Sequence, residues 1–364
     1  MQLLKQQTIN QKKGDVQGKI YPSTFLGKNQ GYITFGAGQP DLPPPKEVYS
    51  DMHCPTFQYG LIQGELPLRD KVASYHNIDS DSIVITNGAS EALHLSISSL
   101  LKPKDRILLT KPYYYSYPEL VRFANASPVF LDLDSGLIDF SDFEQAIHKD
   151  KIKAVLLNSP ANPTGCVEKA STIKKIESLT SDLGIPFIFD EVYSELIYSG
   201  EHYSPRKDNA ICLHSFSKTF SLCGMRVGYL YSKNKEFVQD IIDWKTHTSM
   251  NTSLISQKMA LNTFTVPKSY KMSQLKIWKE RRDFISDKLS SLGFDFWSPQ
   301  GAFYVLPKVD DPRKFVTDMF YKHKVITYLG EWFGSPDRVR FSYATSIDNI
   351  EKGFKIIKSY LDKN

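Results

Sequence analysis

Ser215–Arg226 reads SFSKTFSLCGMR. One lysine, Lys218, stands among three serines and a threonine, and Arg226 follows it by eight residues. A surface helix would carry more charge, and a buried strand would not carry the lysine. The preceding run, AICLHS (210–215), is apolar. A lysine emerging from such a strand is too costly unless it is paired or chemically employed. Arg226 is forked and permanently charged, which suits it to a phosphate.

Outward from this stretch, short apolar runs alternate with helical patterns from about residue 80 to 232. The runs are SIVITNG (82–88), RILLT (106–110), PVFLDL (128–133), IKAVLLNSP (152–160), PFIFDEVYSEL (186–196), AICLHSFSK (210–218) and GYLYS (228–232). Several lack strict alternation, as strands covered on both faces do. The pattern predicts an α/β fold with a mostly parallel sheet. Beyond 234 the periodicity predicts long helices over 235–263 and 267–292. A smaller α/β domain then follows, with strands in GAFYVLP, VITYL and VRFSYA and helices at 312–323 and 346–361. The first 40 or so residues have weak periodicity and read as an arm.

Composition narrows the function. Of 364 residues, 41% are apolar and 23% charged, enough to build a core. Lys plus Arg number 45 against 40 for Asp plus Glu, a mild excess without a basic tract, so nucleic-acid and anionic-membrane binding are not expected. No run approaches the roughly 18 apolar residues needed to span a bilayer, and MQLLKQQTINQKKGD has no secretory core. Cys54, Cys166, Cys212 and Cys223 form no C-x-x-C pair. They read as reduced thiols of a cytoplasmic protein. His53, His76 and His94 lack metal-ligand spacing, and no metal is expected.

In open α/β sheets ligands bind beyond the carboxyl ends of the strands. After the first strand, Gly88 permits a tight turn, and Ala89 and Ser90 open a helix whose N–H groups make an anion cradle or simply a capped terminus. KPYYYSYPE (111–119) offers a flat aromatic face or plain packing. NSPANPTG (158–165) presents Asn162 and Thr164, or is only a proline-rich loop. Asp190 ends a buried strand, as a carboxylate needing a cation or as a helix cap. Taken in order with Lys218 and Arg226, these groups describe a phosphorylated, hydroxylated pyridine aldehyde, pyridoxal 5′-phosphate.

NPTG, DEVY and SFSKTFSLCGMRVGY, in this order and spacing, resemble the class I/II aminotransferases of the fold-type I pyridoxal-phosphate enzymes, aspartate and aromatic aminotransferases among them. The likeness runs from GAGQPD (36–41) to VRFSYATS (339–346). It implies a seven-stranded large domain, a small domain drawn from both chain ends, and a homodimer with shared sites. The corresponding division is 1–44 (arm and part of the small domain), 45–265 (cofactor-binding) and 266–364 (small domain).

Residue by residue, the resemblance gives Lys218 the internal aldimine and then the role of general base. It gives Asp190 the pyridine nitrogen, and Tyr193 and Asn162 the ring hydroxyl. Tyr114 becomes the stacking aromatic. Gly88, Ala89, Ser90, Ser215 and Arg226 form the phosphate cup, and Tyr59 reaches the phosphate of the neighbouring subunit. Arg340 clamps the substrate α-carboxylate, with Gly38 and Asn162 beside it. The implied reaction is ping-pong amino transfer between an L-amino acid and a 2-oxo acid.

A lyase, decarboxylase or racemase on the same fold is the nearest rival, and Arg340 argues against it by gripping the carboxylate. A regulator fused to a DNA-binding domain would need more chain ahead of the core. An unrelated dinucleotide-binding fold would need G-x-G-x-x-G after the first strand, which is absent. Ser90 stands where some aspartate-using members carry a lysine. A strict dicarboxylate preference is therefore not expected. Tyr21, Phe25 and Tyr32 would line an apolar pocket or pack against the partner subunit.

Overall fold

The computed structural model describes residues 31–50 and 56–363. A short strand, β1 (Ile33–Thr34), precedes the large sheet. That sheet is built from β2 (Ile83–Thr86), β3 (Arg106–Lys111), β4 (Ser127–Asp132), β5 (Ala154–Asn158), β6 (Phe187–Asp190), β7 (Ala210–Ser215) and β8 (Gly228–Tyr231). Its seven strands lie in the order β2-β8-β7-β6-β5-β3-β4. β8 runs antiparallel to β2 and β7, and the other pairings are parallel.

Successive side chains of β2, β5 and β6 enter different cores. Ile83, Ile85, Val155, Leu157, Phe187 and Phe189 join one; Val84, Ala154, Leu156 and Ile188 join the other. A strand covered on both faces has no polar side, hence the unbroken apolar runs. Emptying one such buried ring position, Phe187 or Phe189, would cost about 3–5 kcal/mol. Helices Ala89–Leu100, Ser116–Phe123, Phe140–Lys149 and Ala170–Asp182 lie between the strands in sequence.

The quoted stretch occupies the connection from β7 to β8. Ser215 pairs with Gly228, so residues 216–227 leave the sheet as one excursion. Gly228 is needed there: a Cβ would stand 2.6 Å from the His214 carbonyl oxygen and 2.8 Å from the Ala89 nitrogen. The absence of a side chain lets the strand pass close under the helix Ala89–Leu100.

The remaining strands are β9 (Tyr304–Val305), β10 (Val325–Ile326), β11 (Tyr328–Leu329) and β12 (Val339–Ser342). β11, β12 and β9 form an antiparallel sheet, while β1 pairs in parallel with β10. The N-terminal segment thereby joins the C-terminal body. Phe35 packs with Trp278, Phe303, Phe341 and Phe354 in a third core. No described helix is long and apolar enough to cross a membrane.

Two elements differ from expectation. The helix read over 235–263 is two, Lys235–His247 and Leu254–Asn262. The Lys245 carbonyl accepts from both Thr248 and Met250 N–H, Met250 takes φ +59°, and Ser253 caps the next helix through Ser256 N–H. The VITYL strand is also two: residues 325–326 pair with β1 and 328–329 with β12, so the chain changes partner at Thr327. Tyr21, Phe25, His53 and Cys54 lie outside the described residues.

Candidate active site

Groups from five strand ends meet on one cavity of about 520 Å³, lined among others by Gly38, Ala89, Ser90, Tyr114, Asn162, Asp190, Tyr193, Ser215, Lys218, Arg226 and Arg340. Asp190 is the last residue of β6 and Asn158 the last of β5. Asn158 braces both neighbours: its amide donates to the Asp190 carbonyl at 2.8 Å, and its oxygen accepts from Asn162 N–H at 2.8 Å. It was not singled out in the sequence, where it looks like any loop asparagine.

Asp190 is buried, and among the described residues its carboxylate forms no ion pair. Tyr117 donates to it at 2.7 Å, and Val192 N–H at 3.3 Å. Burial raises its pKa, and the Tyr117 hydroxyl opposes the rise. Tyr117 lies in the helix Ser116–Phe123, three residues after Tyr114, which precedes that helix, and the two rings meet edge to face at 5.5 Å. Tyr117 is a functional candidate the sequence reading passed over.

Lys218 sits in the short helix Phe216–Thr219, which Ser215 caps through Ser217 N–H at 3.1 Å. Its amine donates to the Gly38 carbonyl at 2.5 Å and lies 5.7 Å from the Tyr193 ring centre. Burial lowers its pKa, and the positive charges of Arg340 and Arg226 push the same way. The amine is thus moved toward its neutral, nucleophilic form.

At the other end of the cavity Gly88 caps the helix Ala89–Leu100 with φ +78°. The positive φ favours glycine, and a Cβ on Gly88, standing 2.7 Å from an Arg226 guanidinium nitrogen, would displace that side chain. Arg226 donates to the Cys223 carbonyl at 2.9 Å. The helix N-terminus and the guanidinium form a concave, positively polarised surface.

Arg340 lies on β12 and is 2% exposed. It donates to the Asn162 side-chain oxygen at 3.0 Å and to the Gly36 carbonyl at 2.8 Å. Rings of Tyr304, Phe333 and Tyr328 surround it, with centres 4.5, 4.6 and 4.8 Å from its central carbon. Its Nε has no hydrogen-bond partner among the described residues, although it is buried.

Three residues singled out in the sequence lie outside this cavity. Thr164 turns away from this cavity, accepting from Cys166 N–H at 3.1 Å and lining a small separate hollow. Tyr32 stacks on Phe320 at 5.2 Å and does not line the cavity. Tyr59 is 80% exposed and outside the cavity of its own chain.

The sequence matches the family Aminotransferase class I and II over residues 30–357. It is 32% identical to a probable aspartate aminotransferase of Methanocaldococcus jannaschii, covering 91% of this chain and 93% of the relative. It is 31% identical to a (5-formylfuran-3-yl)methyl phosphate transaminase of the same organism, covering 90% of each. The fold superposes on the crystal structure of aspartate aminotransferase from Thermotoga maritima with a TM-score of 0.87. The identity there is 29%, and the match covers 94% of this chain and 95% of that one.

Proposed function

This chain belongs to the class I and II aminotransferases, a family that uses pyridoxal phosphate. From that premise we propose that Lys218 carries the cofactor during ping-pong amino transfer between an L-amino acid and a 2-oxo acid. The observation that carries the proposal is the convergence on one cavity of a desolvated amine, a buried carboxylate without a cation, and a buried guanidinium with an unspent donor.

The residues fit the cofactor. Asp190, buried and unpaired among the described residues, suits a protonated pyridine nitrogen. The space in front of Gly88, with Arg226 beside it, suits a phosphate. When bound, pyridoxal phosphate supplies an electron sink for the pair left on the amino acid's α-carbon.

The chain's own groups do the rest. Arg226, Ser215 and the N–H groups of Ala89 and Ser90 would hold the phosphate. Tyr114 would cover the ring, and Tyr193 and Asn162 would bond its hydroxyl. Asp190 would keep a proton on the ring nitrogen. Lys218, with its lowered pKa, would take the substrate's α-proton and hold it for return. Arg340 holds the α-carboxylate through a charge-assisted pair and so orients the α-C–H bond. A gripped carboxylate favours amino transfer over decarboxylation.

Relatives named for aspartate and for a furan phosphate match at 32% and 31% identity, so overall likeness does not select the amino donor. Ser90, exposed at the cavity wall, offers a hydroxyl where a lysine would favour a second carboxylate. We place strict aspartate specificity outside this site. The domain division at 44/45 and 265/266 belongs to the same proposal, supported by the β1–β10 pairing. So does a homodimer in which Tyr59 serves the neighbouring site.

The experiment is a single half-reaction. Loaded protein mixed with neutral, aromatic and acidic amino acids should convert its visible absorption to that of pyridoxamine phosphate and release 2-oxo acid without carbon dioxide. Carbon dioxide or ammonia as the main product would replace amino transfer with the rival chemistry.

A further inference from the structure

The hydroxyl oxygens of Tyr193 and Tyr304 lie 2.9 Å apart, and both side chains are buried. Two phenols sharing one hydrogen bond leave one proton unspent: one residue donates, and the other is free to point elsewhere. Their surroundings decide which. Tyr304 turns its ring face to the Arg340 guanidinium, 4.5 Å from its centre, whereas the cation nearest the Tyr193 ring, the Lys218 amine, is farther off at 5.7 Å and has a lowered pKa. A cation over the ring stabilises the phenolate and makes that phenol the stronger donor. Burial pushes both phenols up and Arg340 opposes the rise in both; Tyr304 is held to about 12, while Tyr193 goes well above its ordinary value. The Tyr304 hydroxyl also faces Gly38, where a Cβ would come within 3.3 Å of it. Glycine leaves that approach open beside the carbonyl that receives the Lys218 amine.

We propose that Tyr304 is a positioning residue: its hydroxyl donates to Tyr193 and turns the Tyr193 proton into the cavity, while its ring seats the Arg340 guanidinium. One side chain then serves both halves of the site, the group facing the cofactor hydroxyl and the clamp for the substrate carboxylate. The inference rests on the aminotransferase reading above. A donor at the Tyr193 oxygen strengthens the bond that Tyr193 itself gives. That bond stabilises the ionised ring oxygen of pyridoxal phosphate and lowers the pH at which the bound cofactor changes colour.

The test is a pH titration of the visible absorption of the loaded protein, with KM and kcat for an amino donor measured beside it. Wild type, Tyr304→Phe, Tyr193→Phe and the double variant are compared. Tyr304→Phe should raise the spectral midpoint by about 0.5 pH unit and leave KM within about threefold, because the ring still seats Arg340. The double variant should move no further than Tyr193→Phe alone, since both remove one linked bond. Tyr304→Leu, checked for a folded melting transition, should in addition raise KM about tenfold. An unmoved midpoint in Tyr304→Phe, or additive shifts in the double variant, would overturn the inference. A wild-type protein with no visible band overturns the aminotransferase reading itself, and this inference with it.

Discussion

Arg340 is the residue whose environment is most fully specified. Two of its nitrogens are committed to Asn162 and Gly36, three aromatic rings enclose it, and Nε is left without a partner among the described residues. A carboxylate would complete it. Arg340→Ala should therefore weaken amino-acid binding by ~2–5 kcal/mol while changing pyridoxal-phosphate affinity far less. Spectral titration with each ligand separates the two, and a larger loss for the cofactor would remove Arg340 from the carboxylate site. Lys218, Asp190 and Arg226 are legible in the sequence because a charge at the end of an apolar run needs a reason. Tyr117 and Tyr304 are not. A tyrosine in KPYYYSYPE or GAFYVLP reads the same whether its ring packs or its hydroxyl bonds, and only the folded chain brings those hydroxyls to Asp190 and Tyr193.

At the scale of elements, the seven strands follow from apolar runs, but the ends and breaks do not. The 235–263 pattern continues through 248–253, yet the helix stops there because the Lys245 carbonyl closes a cap with Thr248 and Met250. The Lys245 amine, fully buried, reaches Glu91 at 2.9 Å on the helix that opens the cradle. A long-range ion pair of this kind leaves no trace in periodicity. The loop after β5 carries another such tie: the Glu168 carboxylate accepts the Ile138 N–H at 3.1 Å, and burial pushes its pKa from 4.5 up to about 7. Between these two values the folded chain keeps a proton that the unfolded chain has lost, so stability falls as pH rises. The Glu168 contribution is fully present below pH 4.5 and has declined by about 3 kcal/mol once pH passes 7. Glu168→Gln, which keeps the acceptor, should flatten that part of the curve. Chemical denaturation at pH 5 and 7.5 checks this, and an unchanged slope would place the carboxyl elsewhere in the pH range.

For the whole molecule the joining of the chain ends is the least legible feature. Two-residue strands such as β1 and β10 carry no pattern of their own, and their pairing depends on Phe35 packing with Phe341 and Phe354. The proposed homodimer makes a sharper demand. Phe57 and Tyr59 are 99% and 80% exposed, too open for a residue that must touch a phosphate in its own chain. If Tyr59 serves the neighbouring subunit, Lys218→Ala and Tyr59→Ala chains, each nearly inactive alone, should recover activity when refolded together. Random pairing gives about a quarter of wild-type activity, from the one intact site in each hybrid. No recovery would place Tyr59 outside the shared site.

The active-site expectations depend on one bond between Lys218 and pyridoxal phosphate. Borohydride reduction of the loaded protein, followed by digestion and peptide mass analysis, tests it most directly. The expected result is a phosphopyridoxyl group on the peptide containing Lys218, absent from Lys218→Ala. An adduct on a different lysine, or none on a protein supplied with the cofactor, would contradict it.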